Sequence, residues 1–269
     1  MEEIARAKVN LALHVRGREP DGYHRIETLF AFCEDGDRLH AEPAEELSLR
    51  IVGPFAAALA QEGDNLVLRA ARLLAARSGV PAEAALTLHK NLPIASGIGG
   101  GSADAAAALR LLDRLWGLGL SEADLLPLAA ELGADVPACL VSRTARGEGR
   151  GDALTEVHVP GLAGAPVLLV NPRVEVSTAE VFRRWSGTDG GPLPPDPFEG
   201  RNDLEAAARQ VAPGVAEVLE ALADAKVARM SGSGATCFAV YDEAADRDCA
   251  AARIAAAHPG WWTLVSRFS

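Results

Sequence analysis

The stretch that most constrains this chain is NLPIASGIGGGSADAAAALRLL, residues 91–112, where Gly97, Gly99, Gly100 and Gly101 lead through Ser102 into an alanine- and leucine-rich run. Leu109, Leu112 and Trp116 recur at helical spacing, and Gly117 stands where such a helix would end. Ser102 has an N-capping side chain, so the spacing predicts a helix opening there. Upstream, residues 85–90 alternate in the manner of a strand. Strand, proline loop, glycine run and helix, in that order, let backbone approach a ligand beside a helix start rich in unpaired N–H groups. Such an arrangement suits an anion, most often a phosphate; the alternative is a tight turn that binds nothing.

Two common phosphate loops do not fit. A P-loop needs lysine after its last glycine, and Ser102-Ala103 follows instead. The dinucleotide fingerprint would use Gly97 and Gly99 but meets Ser102 at its third glycine, and a proline-led loop separates strand from glycines.

A third pattern does fit. Residues 93–106 read P-x-x-x-G-I-G-G-G-S-A-D-A-A, which closely resembles the second motif of the GHMP small-molecule kinases. The family carries a hydroxyl pair in this motif, and here Ser102 stands alone before Ala103. The resemblance implies that Pro93, Ser96, Gly97, Gly99, Gly100, Gly101 and Ser102 wrap the phosphates of ATP.

Composition narrows the partners. A formal charge of −11 argues against general nucleic-acid binding, which wants a basic face. Lys8, Lys90 and Lys226 are the only lysines among 26 basic residues. Cys33, Cys139, Cys237 and Cys249 show neither zinc-ligand nor C-x-x-C spacing and read as buried thiols of a reducing compartment. The acidic opening MEEIARAK does not resemble a signal peptide, and no apolar run reaches membrane-spanning length. The expectation is a cytoplasmic protein without membrane partner.

Residues 5–15 alternate as a strand with Lys8 and Asn10 on one face, Pro20-Asp21-Gly22 reads as a turn, and residues 23–32 return as the partner strand. By themselves these are a polar strand face and a hairpin flank. Yet A-K-V-N-L-x-L-x-V-x-G-R-x-x-D-G-Y-H-x-I-x-T-L-F resembles the opening of one GHMP branch, whose acceptor is a cytidine diphosphate-linked methylerythritol. That resemblance implies contacts from Tyr23 and His24 to the cytosine and puts Lys8 and Asn10 at the reacting hydroxyl. A tyrosine ring can stack on a base and an imidazole can bond its edge.

Residues 63–67, GDNLV, read as a turn into a helix reaching Arg77, with Asn65 as N-cap. The family places Asn65 and Lys90 near the adenine. A helix capped by Ser121 stops at the element GADVP, residues 133–137. Asp135 is ordinary turn material, or, as the family implies, the carboxylate that takes or orients the acceptor proton, held ionised by Lys8.

Residues 143–151 suggest a loop or hairpin, and the glycine–proline breaks at 160–166 a change of domain. Ser177-Thr178 caps a helix containing Phe182, a core aromatic by type; in the resembling branch Thr178 and Phe182 face the substrate, Phe182 sandwiching the base with Tyr23. Residues 186–197 read as a mobile excursion. SGSGA, residues 231–235, lies between two strands, as a hairpin turn or, by resemblance, as the third family motif, with Gly232 and Ser233 closing on the phosphates. A helix over residues 243–257 and a strand over 261–267 complete an antiparallel α+β second domain.

The expectation is an α+β kinase of two domains, 1–155 and 156–269, with the active site in the cleft between them. ATP is the donor, Mg²⁺ accompanies it through ligands the sequence leaves unassigned, and the oligomeric state is open.

Overall fold

Two long strands open the chain: β1 (Glu2–Arg18) pairs with β2 (His24–Glu42) across the expected Pro20-Asp21-Gly22 turn. Both outrun the lengths that alternation predicts. Gly36 lies inside β2 because a Cβ there would sit 1.9 Å from the Ala5 carbonyl oxygen, so this glycine marks close strand packing rather than a turn. β2 ends at Glu42, and β3 (Ser48–Val52) begins beyond Pro43.

The computed structural model describes residues 1–59 and 65–269. The expected turn at Gly63-Asp64 lies outside the described residues. The chain forms two compact units from alternating segments, one of Met1–Ala7, Asp35–Ile94 and Gly99–Ser142, the other of Lys8–Glu34, Ala95–Ile98 and Arg143–Ser269.

In the first unit β3 is followed by the short α1 (Ala56–Leu59) and α2 (Leu66–Ser78). β4 (Ala85–His89) then pairs parallel with β3 and antiparallel with the Arg38–Glu42 end of β2. α3 (Gly100–Trp116), α4 (Glu122–Leu132) and α5 (Val136–Val141) follow, with α2, α4 and α5 packed on α3. Leu109, Leu111 and Leu112 of α3 are buried, as the apolar periodicity requires. The Asn65 side chain accepts the Val67 N–H, and Ser121 and Asp124 close a capping box. Gly117 ends α3 in the left-handed conformation, at φ +64°. α4 stops before residues 133–137 as expected, and α5 opens within that element, because proline in a first helical turn needs no N–H.

In the second unit β5 (Ala145–Gly149) pairs with β2 over Ile26–Phe30 and turns into β6 (Ala153–Glu156). β7 (Pro166–Asn171), α6 (Thr178–Arg184), α7 (Glu205–Val211), α8 (Gly214–Ala221), β8 (Val227–Met230), β9 (Cys237–Val240), α9 (Ala244–Ala257) and β10 (Trp262–Arg267) follow. Among the described residues these strands form an antiparallel sheet of order β10-β7-β9-β8. Its core includes Leu168, Val170, Val215, Val218, Ala239 and Ile254. The fold is α+β. Among the described residues no helix is long and apolar enough to cross a membrane.

Two expectations change here. Residues 186–197, read as a mobile excursion, are tied down: Leu193 N–H donates to Glu27 at 2.8 Å, and the Gly191 carbonyl accepts from His14 and Arg201. Cys249, read as buried, is exposed on α9, whereas Cys33, Cys139 and Cys237 are buried.

Candidate active site

α3 opens on a glycine, and that decides its chemistry. Gly99 takes φ +65°, a left-handed turn that drops the chain straight into the helix, so Gly100, Gly101 and Ser102 form its first turn. The expectation that Ser102 caps the helix is therefore corrected; it sits two residues inside it. Gly99 has no side chain to satisfy the first-turn N–H groups, which point out of a 17-residue helix whose macrodipole favours an anion. Gly101 is exposed, while Pro93 is buried.

Beneath this turn Lys90 is buried, its Nζ 2.5 Å from Asp37 Oδ2 and 2.6 Å from Asp104 Oδ2. Asp37 Oδ1 also accepts the Asn91 and Leu92 N–H groups at 2.5 and 2.8 Å. Burial alone would lower the Lys90 pKa, but the carboxylates of Asp104 and Asp37 outweigh it and hold the ammonium above its usual range. Burial pushes the Asp104 carboxyl up to about 8, against the opposing pull of Lys90. A Cβ on Gly100 would lie 3.1 Å from the Lys90 ammonium, so the network packs directly under the glycine run. Asp135 opens α5, half-buried; among the described residues its carboxylate makes no capping bond to that helix.

The second unit joins segments far apart in sequence. Lys8 Nζ donates to Asn10 Oδ1 at 2.9 Å, and Asn10 Nδ2 donates to Thr28 Oγ1 at 2.7 Å. Asn10 N–H donates to Ser231 Oγ at 3.0 Å, and that hydroxyl donates to the Gly97 carbonyl at 2.9 Å. Thr236 N–H bonds the Ser96 carbonyl at 3.1 Å. Ser231 thus links the Lys8–Asn10 strand, the start of the glycine run and the Ser-Gly-Ser-Gly loop. Gly232 (φ +56°) faces the Gly97 carbonyl, and Ser233 Oγ lies 2.8 Å from Thr178 Oγ1.

An aromatic group lies in the same unit. The His24 ring meets Phe182 at 4.8 Å between centroids, tilted by 37°, and Trp185 edge-on at 5.7 Å. Burial first, and Arg18 second, hold the His24 imidazole below its usual range, keeping it neutral and able to offer both a donor and an acceptor. Tyr23 is 57% exposed, and the Arg150 guanidinium lies over its ring, 3.8 Å from the centroid.

Sequence reasoning missed Asp37, Asp104, Thr28, Ser231, Trp185 and Arg150. Two carried a legible signal: Asp104 is the one charge in the alanine-rich stretch 100–109, and Trp185 stands three residues beyond Phe182. Among the described residues no group of three or more His, Cys, Asp or Glu side chains could hold a metal ion.

A glycine-opened helix beside a buried lysine, on an α+β fold with a second glycine loop, defines a class, and the comparisons agree. Residues 65–143 match the N terminal domain of the GHMP kinases and residues 197–259 their C terminal domain; the chain belongs to this family. Within it, a protein of Rhizorhabdus wittichii named 4-diphosphocytidyl-2-C-methyl-D-erythritol kinase is 55% identical over 275 residues, covering 98% of this chain and 94% of its own. The Sphingopyxis alaskensis protein of the same name is 50% identical over 276 residues, 98% of this chain and 97% of that one. A solved structure of 4-(cytidine 5'-diphospho)-2C-methyl-D-erythritol kinase superposes with TM-score 0.83 at 33% identity, covering 100% of this chain and 99% of that one. Homoserine kinase from Cytophaga hutchinsonii, at 21% identity and TM-score 0.74 over 100% of this chain and 94% of its own, shares the fold.

Proposed function

We propose that this chain transfers the γ-phosphoryl group of ATP to the 2-hydroxyl of 4-diphosphocytidyl-2-C-methyl-D-erythritol, a step of the non-mevalonate route to isoprenoid precursors. The observation that carries the reading is full-length relatedness, 55% identity over 98% of the chain, to a kinase named for that acceptor.

In this reading the first-turn N–H groups of Gly100, Gly101 and Ser102 hold the ATP phosphates, with Gly97, Gly99, Gly232 and Ser233 shaping the loops and Asn65, Lys90, Pro93 and Ser96 completing the nucleotide site. His24, Phe182 and Tyr23 take the cytosine, and Thr178 and Asn10 the rest of the acceptor. The acceptor 2-oxygen bonds to the γ-phosphorus as the bond to the β,γ-bridging oxygen breaks, and ADP leaves. Asp135, at the start of α5, takes or orients the hydroxyl proton. Lys8 offsets negative charge on the group in transit. Mg²⁺ is expected with ATP, because hard divalent cations take phosphate-oxygen ligands. A cytoplasmic setting belongs to the same proposal.

ADP release measured with this acceptor, mevalonate and homoserine in turn tests the reading. Turnover is expected with the cytidyl acceptor alone, and preference for either of the others overturns it.

A further inference from the structure

We propose that Thr28 is a positioning residue for phosphoryl transfer: its hydroxyl locks the Asn10 carboxamide in the one orientation that holds the Lys8 ammonium. The inference rests on the reading above, in which Lys8 acts at the reacting groups.

Directions of donation carry the argument. Thr28 Oγ1 lies 2.7 Å from the Ala12 carbonyl oxygen, which can only accept, so the single hydroxyl proton points there. The atom of Asn10 facing Thr28 at 2.7 Å must therefore be a donor, Nδ2, and the carboxamide oxygen is turned toward Lys8 Nζ at 2.9 Å. Lys8 is donor-only, so this orientation attracts it and the flipped one sets an NH₂ group against an ammonium. The Asn10 backbone is fixed independently through Ser231, leaving the carboxamide rotation as the free variable. Phe30 bounds Lys8 on another side, its ring centroid 5.1 Å from Nζ. Lys8 and Asn10 are each 3% exposed and Thr28 is fully buried, so water does not readily substitute for the missing hydroxyl.

Nothing in the hydroxyl's position calls for contact with substrate. Its effect would pass through Asn10 to Lys8, and that dependence separates positioning from general support of the fold.

The test uses Thr28→Val, which keeps the shape and removes the hydroxyl, and Thr28→Ser, which restores it. For Thr28→Val, kcat is expected to fall about tenfold or more, with both KM values within about threefold of wild type. Thr28→Ser should recover kcat to within about threefold. In an Asn10→Ala background Thr28→Val should cost little more, because its route to Lys8 is already cut. Should Thr28→Val not fold, Thr28→Ala compared with Thr28→Ser reads the same hydroxyl. Wild-type kcat without the hydroxyl, loss confined to KM, or an undiminished loss in the Asn10→Ala background overturns the proposal. Lys8→Ala distinguishes the two levels: if it is inactive while Thr28→Val is not, only the Thr28 inference fails, and if it turns over normally, both fail.

Discussion

Gly97 lies so close to Ser231 that a Cβ on the glycine would sit 2.3 Å from the serine carbonyl oxygen. Gly97 also takes φ +79°, so two independent constraints exclude a side chain there. Gly101 is different: it is helical and exposed, and among the described residues a Cβ would meet only Leu66, at 3.6 Å. Gly97→Ala should therefore destabilise the protein by about 2 kcal/mol or more, read by denaturant unfolding. Gly101→Ala should hold or raise stability, since alanine is the better helix former by about 1 kcal/mol, yet raise KM for ATP. Equal stability losses in the two variants would contradict the distinction between packing and ligand contact.

Asp135→Ala is expected to lower kcat by about 10³-fold or more while ATP still binds, because the carboxylate acts on the acceptor hydroxyl. Calorimetric titration with a non-hydrolysable ATP analogue checks the second half. Near-wild-type turnover would remove Asp135 from the mechanism.

Phe182→Ala should raise KM for the cytidyl acceptor about tenfold, the worth of one aromatic stacking partner, and leave KM for ATP unchanged. A parallel rise in both constants would assign Phe182 to the fold instead.

Lys90 bridges the buried carboxyl groups of Asp37 and Asp104, so Lys90→Met leaves them facing one another without a cation. The expected cost is about 3–5 kcal/mol of stability, the range for breaking a buried ion pair on one side. A loss under about 1 kcal/mol would show that the pairing is not what secures this turn.

Residue His14 is fully buried, donating from Nδ1 to the Gly191 carbonyl at 3.1 Å and accepting the Arg201 N–H at Nε2, 3.2 Å away. Burial, the largest influence, holds its pKa below the usual 6.5, and protonation would cost the second bond. A depressed folded-state pKa gives stability that is full above the unfolded value and is lost as pH falls through the folded one. Thermal stability of wild type should thus drop as pH falls below about 6.5 by more than that of His14→Gln, which cannot titrate. Parallel curves would exclude His14 as the source.

Much of the local structure was legible because its causes are local. Asn65 and Ser121 cap their helices, Gly117 ends α3, and Pro20-Asp21-Gly22 turns the first hairpin. Ser102 misled because a left-handed glycine, rather than a side chain, begins α3. The site networks were hidden for a different reason. Asn10 meets Ser231 across 221 residues and Lys90 meets Asp37 across 53, and no period or spacing in the chain encodes those meetings. Family resemblance points to Lys8, Asn10 and Asp135, whereas the partners of Lys8 and Asn10 are set by the fold in space.

The most direct test of the central claim is the position of the new phosphate. Carbon 2 of the acceptor carries a methyl group and no hydrogen, so a proton-coupled ³¹P spectrum distinguishes the possible products. Incubation with ATP and 4-diphosphocytidyl-2-C-methyl-D-erythritol should yield a phosphomonoester singlet, with the cytidyl diphosphate signals retained. A doublet or triplet, which places phosphate on a hydrogen-bearing carbon, or no phosphomonoester at all, would contradict the account.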